Sequence, residues 1–422
     1  MEFLKNLALP QSADHIELLH YLIILILILF IPFISAVFGG TLLSLYFKKR
    51  EKKDYDANFR RFSKDIIELV TINKSVGLIL GIVPVFTAML IFIQLLQSGD
   101  SIYLEYFVVA FIFLSIALGS IYYYRLSLSA PNIIDEGAGK LGVILLFCAL
   151  WFFMAGITAL QYHGSWEPHG FISGMFSSLV LIKFLYFIVM SFAITGAAIL
   201  FGFFHLDNFN QNPDDDYGKF VKKIGLRIAF TFTILLPVFM IVNLLIIPGT
   251  SLSGAVFIFL TFAIILVFIA YHFLYLLFLK VNSKYSALLF FTVLFSVLAI
   301  IISDQTVMVN STKVESAKLS SEFEQYLKEL KGEGGIAKIS GEEIYKVRCT
   351  ACHRFDVKLV GPPHNKVVPK YFGKEDQLIS FILNPHKVDP SYPPMPNPGL
   401  KPNEAKAVAD YVLEQVKKNI GQ

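Results

Sequence analysis

Eight separate stretches of this chain are apolar over the length needed to cross a lipid bilayer. They run over about residues 20–47, 76–97, 102–124, 141–162, 172–204, 226–247, 252–279 and 285–303. A bilayer's hydrocarbon core is about 30 Å thick, so a helical span takes about 20 mostly apolar residues. The fifth run is long enough for a tilted helix or one that projects from the membrane. The first is not a signal peptide: it is too long, lacks a basic start, and ends in FKKR rather than small residues. Composition agrees, with 55% hydrophobic residues and only 16% charged, against about 25% charged in soluble proteins. The net charge of +4 is small and no long basic run accompanies it, which excludes a nucleic-acid partner.

Lysine and arginine in the loops set the expected orientation. Residues 48–64, KKREKKDYDANFRRFSK, are the most basic stretch, 205–225 contain KFVKK, and 280–284 contain two lysines. Loops 98–101, 163–171 and 248–251 contain neither lysine nor arginine. Strict alternation puts the basic loops in the cytoplasm and, with an even number of spans, both termini outside.

The polar tail follows from residue 304. STKVESAKLSSEFEQYLKELK has helical spacing, and KGEGG ends it. A small unit then opens with SGEEIYKVRCTACH, where Ser340 is a candidate N-cap, and closes with the amphipathic KPNEAKAVADYVLEQVKK. Cys349, Cys352 and His353 form C-x-x-C-H, the attachment sequence for c-type haem. On a helix the two thiols reach the two vinyl groups of one haem, and the next residue directs an imidazole at the iron. A methionine commonly supplies the sixth ligand and raises the potential. The unit holds one methionine, Met395, between Pro394 and Pro396. These features resemble class I cytochrome c over about residues 338–420, with one covalent haem c expected.

Other uses of these residues are weaker. A zinc site needs a second cysteine pair, and no βαβ pattern suggests a thioredoxin-like motif. Cys148 lies inside an apolar run and reads as a packed side chain. His364 and His386 are alternatives to Met395, read here as ordinary loop histidines. Haem is attached covalently on the outer side of the bacterial membrane, which agrees with the orientation derived from the loops alone.

Ionisable residues in or beside the spans are His20, Glu105, Lys183, His205 and His272. Lys183 is expected to snorkel or to pair. Across about residues 10–250 the order of features resembles subunit I of the cytochrome bd family of oxygen reductases. ELLHYLIILILILF places His20 where that family has a histidine ligand of its active-site haem. NKSVGLILGIVP resembles the start of its second span, YLEYFVVAFIF puts Glu105 where the family carries a pocket glutamate, and LIKFLYFIVMSFAITGAAILFGFF resembles its fifth span. The departures bear on function. Tyr186 stands where the family has the low-spin haem b histidine, Phe113 replaces a second glutamate, and the family's quinol loop shrinks to IPGTSLSG, residues 247–254.

The expectation is therefore an all-α protein. A bd-like transmembrane bundle of about eight spans (1–303) leads through a polar helical linker (304–337) to a periplasmic class I cytochrome c domain (338–422). The expected role is electron transfer in a larger respiratory complex of the bacterial inner membrane, with haem c replacing quinol as the electron port. Membrane subunits, a periplasmic or membrane redox partner and lipid are the implied partners. Two rivals stand beside it: an oxygen reductase with a further haem at His20 near Glu105, and a scaffold whose spans bind no cofactor.

Overall fold

The structure is a computed structural model that describes residues 11–95, 102–129, 136–162, 171–207, 209, 211–331 and 340–421. Helices α1 (Ala13–Asp54), α3 (Lys74–Leu95), α4 (Ile102–Ser129), α5 (Glu136–Gln161), α6 (Ser178–His205), α7 (Asp216–Ile246), α8 (Gly254–Leu279) and α9 (Ser283–Ser311) are each long and apolar enough to span a membrane. The expected lysine-free loops at 98–101 and 163–171 fall largely outside the described residues.

The bundle is organised around α1, which packs against α3, α5, α6 and α9. Its inward residues Ile23, Leu27, Phe30, Ile34, Val37 and Phe38 are fully or almost fully buried. Pro32 and Pro237 sit inside α1 and α7, which spanning helices tolerate because neighbours can satisfy the freed backbone groups.

The basic stretch 48–64 is a helical hairpin rather than a plain loop. α1 continues to Asp54, the chain turns at Tyr55, and α2 (Ala57–Thr71) folds back along it. Phe62, Ile66, Ile67 and Val70 of α2 are buried, and the Phe62 ring meets Phe47 edge-on at 5.1 Å. The hairpin's charges are largely paired: Lys48 with Glu51 at 2.8 Å, Arg50 with Asp54 at 2.6 Å, Lys52 with Glu136 at 2.7 Å, and Arg60 with Glu51. Arg61 stacks over Tyr217 at 4.1 Å and donates to Gln211, while His205 Nδ1 lies 2.7 Å from Ser283 Oγ. The three basic connections therefore meet at one end of the bundle.

At the far end, α9 runs unbroken through residue 304 to Ser311. The last span is thus longer than 285–303, and the polar connector begins later than 304, as α10 (Lys313–Lys331). The cause is a tertiary partner. Asp304 looks like the end of a span by composition, but it faces Lys183 at 3.3 Å within the bundle.

The chain divides into two compact units between Glu324 and Gln325. The second contains α11 (Gly341–Arg348), α12 (Glu375–Leu383) and α13 (Pro402–Asn419). Ser340 caps α11, its Oγ accepting from Glu343 N at 3.2 Å. α13 buries Ala405, Val408, Ala409, Val412, Leu413 and Val416, the three-and-four spacing of one helical face, against Tyr345, Val368, Leu378 and Ile382. α11 crosses α13 closely: a Cβ on Gly341 would stand 2.0 Å from the carbonyl oxygen of Ala407.

Candidate functional site

The C-x-x-C-H residues leave α11 on a tight turn. The carbonyl of Cys349 accepts from both Cys352 N at 3.1 Å and His353 N at 2.9 Å. The turn keeps Cys352 and His353 folded back against the end of the helix, and Cys349 and His353 face the same cavity. Both thiols are free, although only two residues separate them. Burial, with the neighbouring Cys352 second, pushes the Cys349 thiol up to about 11. A dithiol redox motif needs the opposite shift, since its attacking thiol is lowered to about 3.5–7.5.

His353 is held from behind. Its Nδ1 lies 3.2 Å from the carbonyl oxygen of Pro362. A carbonyl only accepts, so in the neutral ring the proton is on Nδ1 and Nε2 keeps its lone pair. That is the form an imidazole takes as a metal ligand, with the other nitrogen's hydrogen bond fixing the ring. Gly361 lies flat beside the ring, where a Cβ would fall 2.2 Å from His353 Cε1. Gly361 is itself pinned, its N donating to Cys352 O at 2.8 Å.

Cys349, His353 and Met395 line one cavity of about 1080 Å³, counted out to its open mouth. Its walls are mostly apolar and include Leu378, Ile382 and Val408. Met395 reaches the cavity from the irregular segment after α12. Asn397 Nδ2 ties that segment to Leu383 O at 3.0 Å, and Gly399, at φ +68°, turns the chain toward α13.

His364 and His386 also line the cavity, but differently. The His364 ring stacks face to face on His353, with centroids 4.7 Å apart and planes at 14°. His364 is thus a packing neighbour of the His353 ring. Burial, and the charge His353 could carry, push the His364 imidazole down to about 3. His386 is exposed and packs edge-on against Phe381 at 5.2 Å.

The sequence model of the cytochrome c family matches residues 339–415. Cytochrome c-551 of Pseudomonas denitrificans is 37% identical over 79 residues, which are 18% of this chain and 95% of that protein. The chain belongs to the cytochrome c family. Cytochrome c-551 of Azotobacter vinelandii is 40% identical over 78 residues, 18% of this chain and 95% of its own length. Cytochrome c-552 of Nitrosomonas europaea is 31% identical over 84 residues, 19% of this chain and 81% of its own length. Membership in the cytochrome c family implies a covalently bound haem c and haem-based electron transfer. The unit fits that group: the Cys349 thiol, an imidazole whose Nε2 is left for iron, and the Met395 thioether share one mostly apolar crevice, and the free thiol of Cys352 stands one residue before that imidazole.

The eight long helices lie outside the matched residues, and their polar groups gather elsewhere. Lys183 Nζ and Asn243 Nδ2 approach the same Asp304 oxygen at 3.3 and 3.0 Å, and Gln161 Nε2 donates to the Asp304 carbonyl at 3.0 Å. Tyr186 is fully buried beside Asp304, and its hydroxyl has no hydrogen-bond partner among the described residues. The sequence reading missed Asp304, Asn243 and Gln161 because each falls at an expected span end. His20 is buried on α1 with Nδ1 unpartnered among the described residues, and Glu105 is half-buried on α4. His205 and His272 are exposed.

Proposed function

We propose that this chain is a membrane-bound monohaem cytochrome c that serves as the electron-transfer subunit of a bd-like respiratory complex. The observation that carries the reading is the shared crevice of Cys349, His353 and Met395 on a chain with eight apolar spanning helices. Cys349 and Cys352 would hold the haem, and His353 and Met395 would ligate its iron. Bound haem c supplies a one-electron iron couple. The protein's own part is to fix the His353 ring through Pro362, present the Met395 thioether on a proline-stiffened segment, and keep water from most of the crevice. A methionine ligand beside a histidine ligand would raise the potential, which suits transfer rather than oxygen chemistry.

The membrane domain is read as a bd-like scaffold whose former haem b position, Tyr186, lies beside the Lys183–Asp304 pair. The segment 247–254 between α7 and α8 contains no ionisable residue, so a quinol's protons have no acceptor there. Haem c would replace quinol as the port for electrons on the periplasmic side of the inner membrane. The test is a rate comparison on the purified chain. Reduced soluble cytochrome c should exchange electrons with it, and quinol should not. Steady quinol oxidation by the chain alone, stopped by a quinone-site inhibitor, would contradict the assignment.

One observation favours a second reading. The buried Nδ1 of His20, without a hydrogen-bond partner among the described residues, is a ring nitrogen that a metal could use. An oxygen-reducing haem on His20, with Glu105 of α4 in the role of the pocket glutamate, would use it.

A further inference from the structure

Helices α7 and α8 leave a groove at the basic end of the bundle, with about 1350 Å³ of space counted to its open side. One wall is the α7 face of Lys219, Lys222, Lys223, Leu226, Arg227 and Phe230. These positions recur at three- and four-residue intervals, so they share one face. The other wall is Tyr271, Leu274, Tyr275 and Phe278 of α8, with the same spacing. The Tyr271 hydroxyl donates to Thr233 O at 3.1 Å and so fixes the register of the two helices. Because they run antiparallel, Phe278 lies toward the lysines and Tyr271 toward Phe230.

The groove is divided by chemistry along its length. Lys219, Lys222, Lys223 and Arg227 gather at the end near the helix connections, over nine residues or about 12 Å of α7. None of them makes an ion pair among the described residues, and no acidic side chain lines the groove. This contrasts with the paired charges of the α1–α2 hairpin at the same end. Further along, the lining becomes apolar and aromatic, and Phe230, Tyr275 and Phe278 are more than half exposed. Both walls are spanning helices, so this apolar part faces the bilayer interior.

We propose that this groove is a binding site for an anionic phospholipid. Its phosphate would sit among Lys219, Lys222, Lys223 and Arg227, and its acyl chains would lie along Leu226, Phe230 and Leu274. Clustered, unpaired cations next to a membrane-facing apolar wall match the two ends of one such lipid. Basic pockets between spanning helices are a recurring way to hold anionic headgroups. The alternative occupant, an acidic segment of a partner subunit, would need carboxylates at membrane depth beside Phe230, where they would be poorly solvated.

Native mass spectrometry of the purified full-length chain, delipidated in detergent and supplied with phosphatidylglycerol or phosphatidylcholine, tests this. The expected result is retention of phosphatidylglycerol at least tenfold above phosphatidylcholine. Lys222→Gln with Arg227→Gln should lower that retention roughly tenfold or more, since each basic residue adds comparably to headgroup attraction. Lys53→Gln with Lys284→Gln removes the same charge outside the groove and should leave retention unchanged. Raising salt on the unaltered chain should release the lipid as well, which keeps the test valid if the double variant misfolds. Equal retention of the two lipids, or equal loss in both double variants, overturns the proposal. So does a photo-crosslinker replacing Tyr275 that captures a protein segment rather than lipid in native membranes.

Discussion

Lys183 and Asp304 are separated by 120 residues of chain and meet at 3.3 Å inside the bundle, with the lysine side chain only 4% exposed. Around them α5, α6, α7 and α9 each bring a polar group to the same level. Placing α6's early turns beside the late turns of α5, α7 and α9 is what alternating spans require.

Asp304→Ala should destabilise the membrane domain by about 3–5 kcal/mol, because it leaves a buried ammonium without its counter-charge. Lys183→Met in the same chain should recover much of the loss. Helicity followed through a denaturant titration in detergent measures both. A double variant no more stable than Asp304→Ala alone would mean that the pair is not what sets the cost.

The end of the bundle that carries the basic connections should face the cytoplasm. Tyr55, 89% exposed at the turn between α1 and α2, and Thr250, exposed between α7 and α8, are single positions for a test. A membrane-impermeant maleimide should label Thr250→Cys in sealed cells and leave Tyr55→Cys unlabelled until the membrane is opened. The reverse pattern would invert the orientation and remove the periplasmic placement of the haem. Protease release of the tail at residues 331–340, which the glycine-rich KGEGGIAKIS suggests, falls almost wholly outside the described residues.

Much of this was legible in the sequence, for reasons that differ by residue. The spans show because a membrane demands a contiguous apolar run. The C-x-x-C-H motif shows because covalent attachment demands contiguous residues. The α2 helix had a readable signal in Phe62, Ile66, Ile67 and Val70, but the surrounding charges of 48–64 concealed it. Asp304 was hidden because its partner is distant in sequence, and a charge alone looks like the end of a span. Pro362 and Gly361 act through a carbonyl and a missing side chain, so nothing in their identity announces that they seat His353. Asn397 is one loop polar residue among several until its bond to Leu383 is seen.

Met395→Ala should keep its haem, because thioether attachment does not depend on the sixth ligand. The potential should fall by on the order of 0.1 V or more, within the roughly 0.8 V that axial ligands can span. His364→Ala should leave the iron's ligand set unchanged, since its ring is a packing neighbour of His353. A redox titration with absorption spectra of both variants separates the assignments. An unchanged Met395→Ala spectrum would move the ligand to His386.

Gly341→Ala should loosen the crossing of α11 on α13, since the new methyl meets a backbone carbonyl rather than a movable side chain. A loss of about 1–3 kcal/mol is expected, the usual range for overpacking. Thermal unfolding followed at the haem band is the measurement, and an unchanged midpoint would show that the crossing can open freely.

The most direct test of the central claim is haem quantification on the intact, purified chain. Acid–acetone extraction should leave one haem c per chain bound to the protein, and Cys349→Ala with Cys352→Ala should abolish it. No low-spin haem b should be extracted, because Tyr186 offers a phenol where that haem needs an imidazole; any extractable haem should be high-spin and vanish in His20→Ala. A chain without covalent haem, or one carrying a low-spin b-type haem that survives His20→Ala and disappears in Tyr186→Phe, would contradict the account.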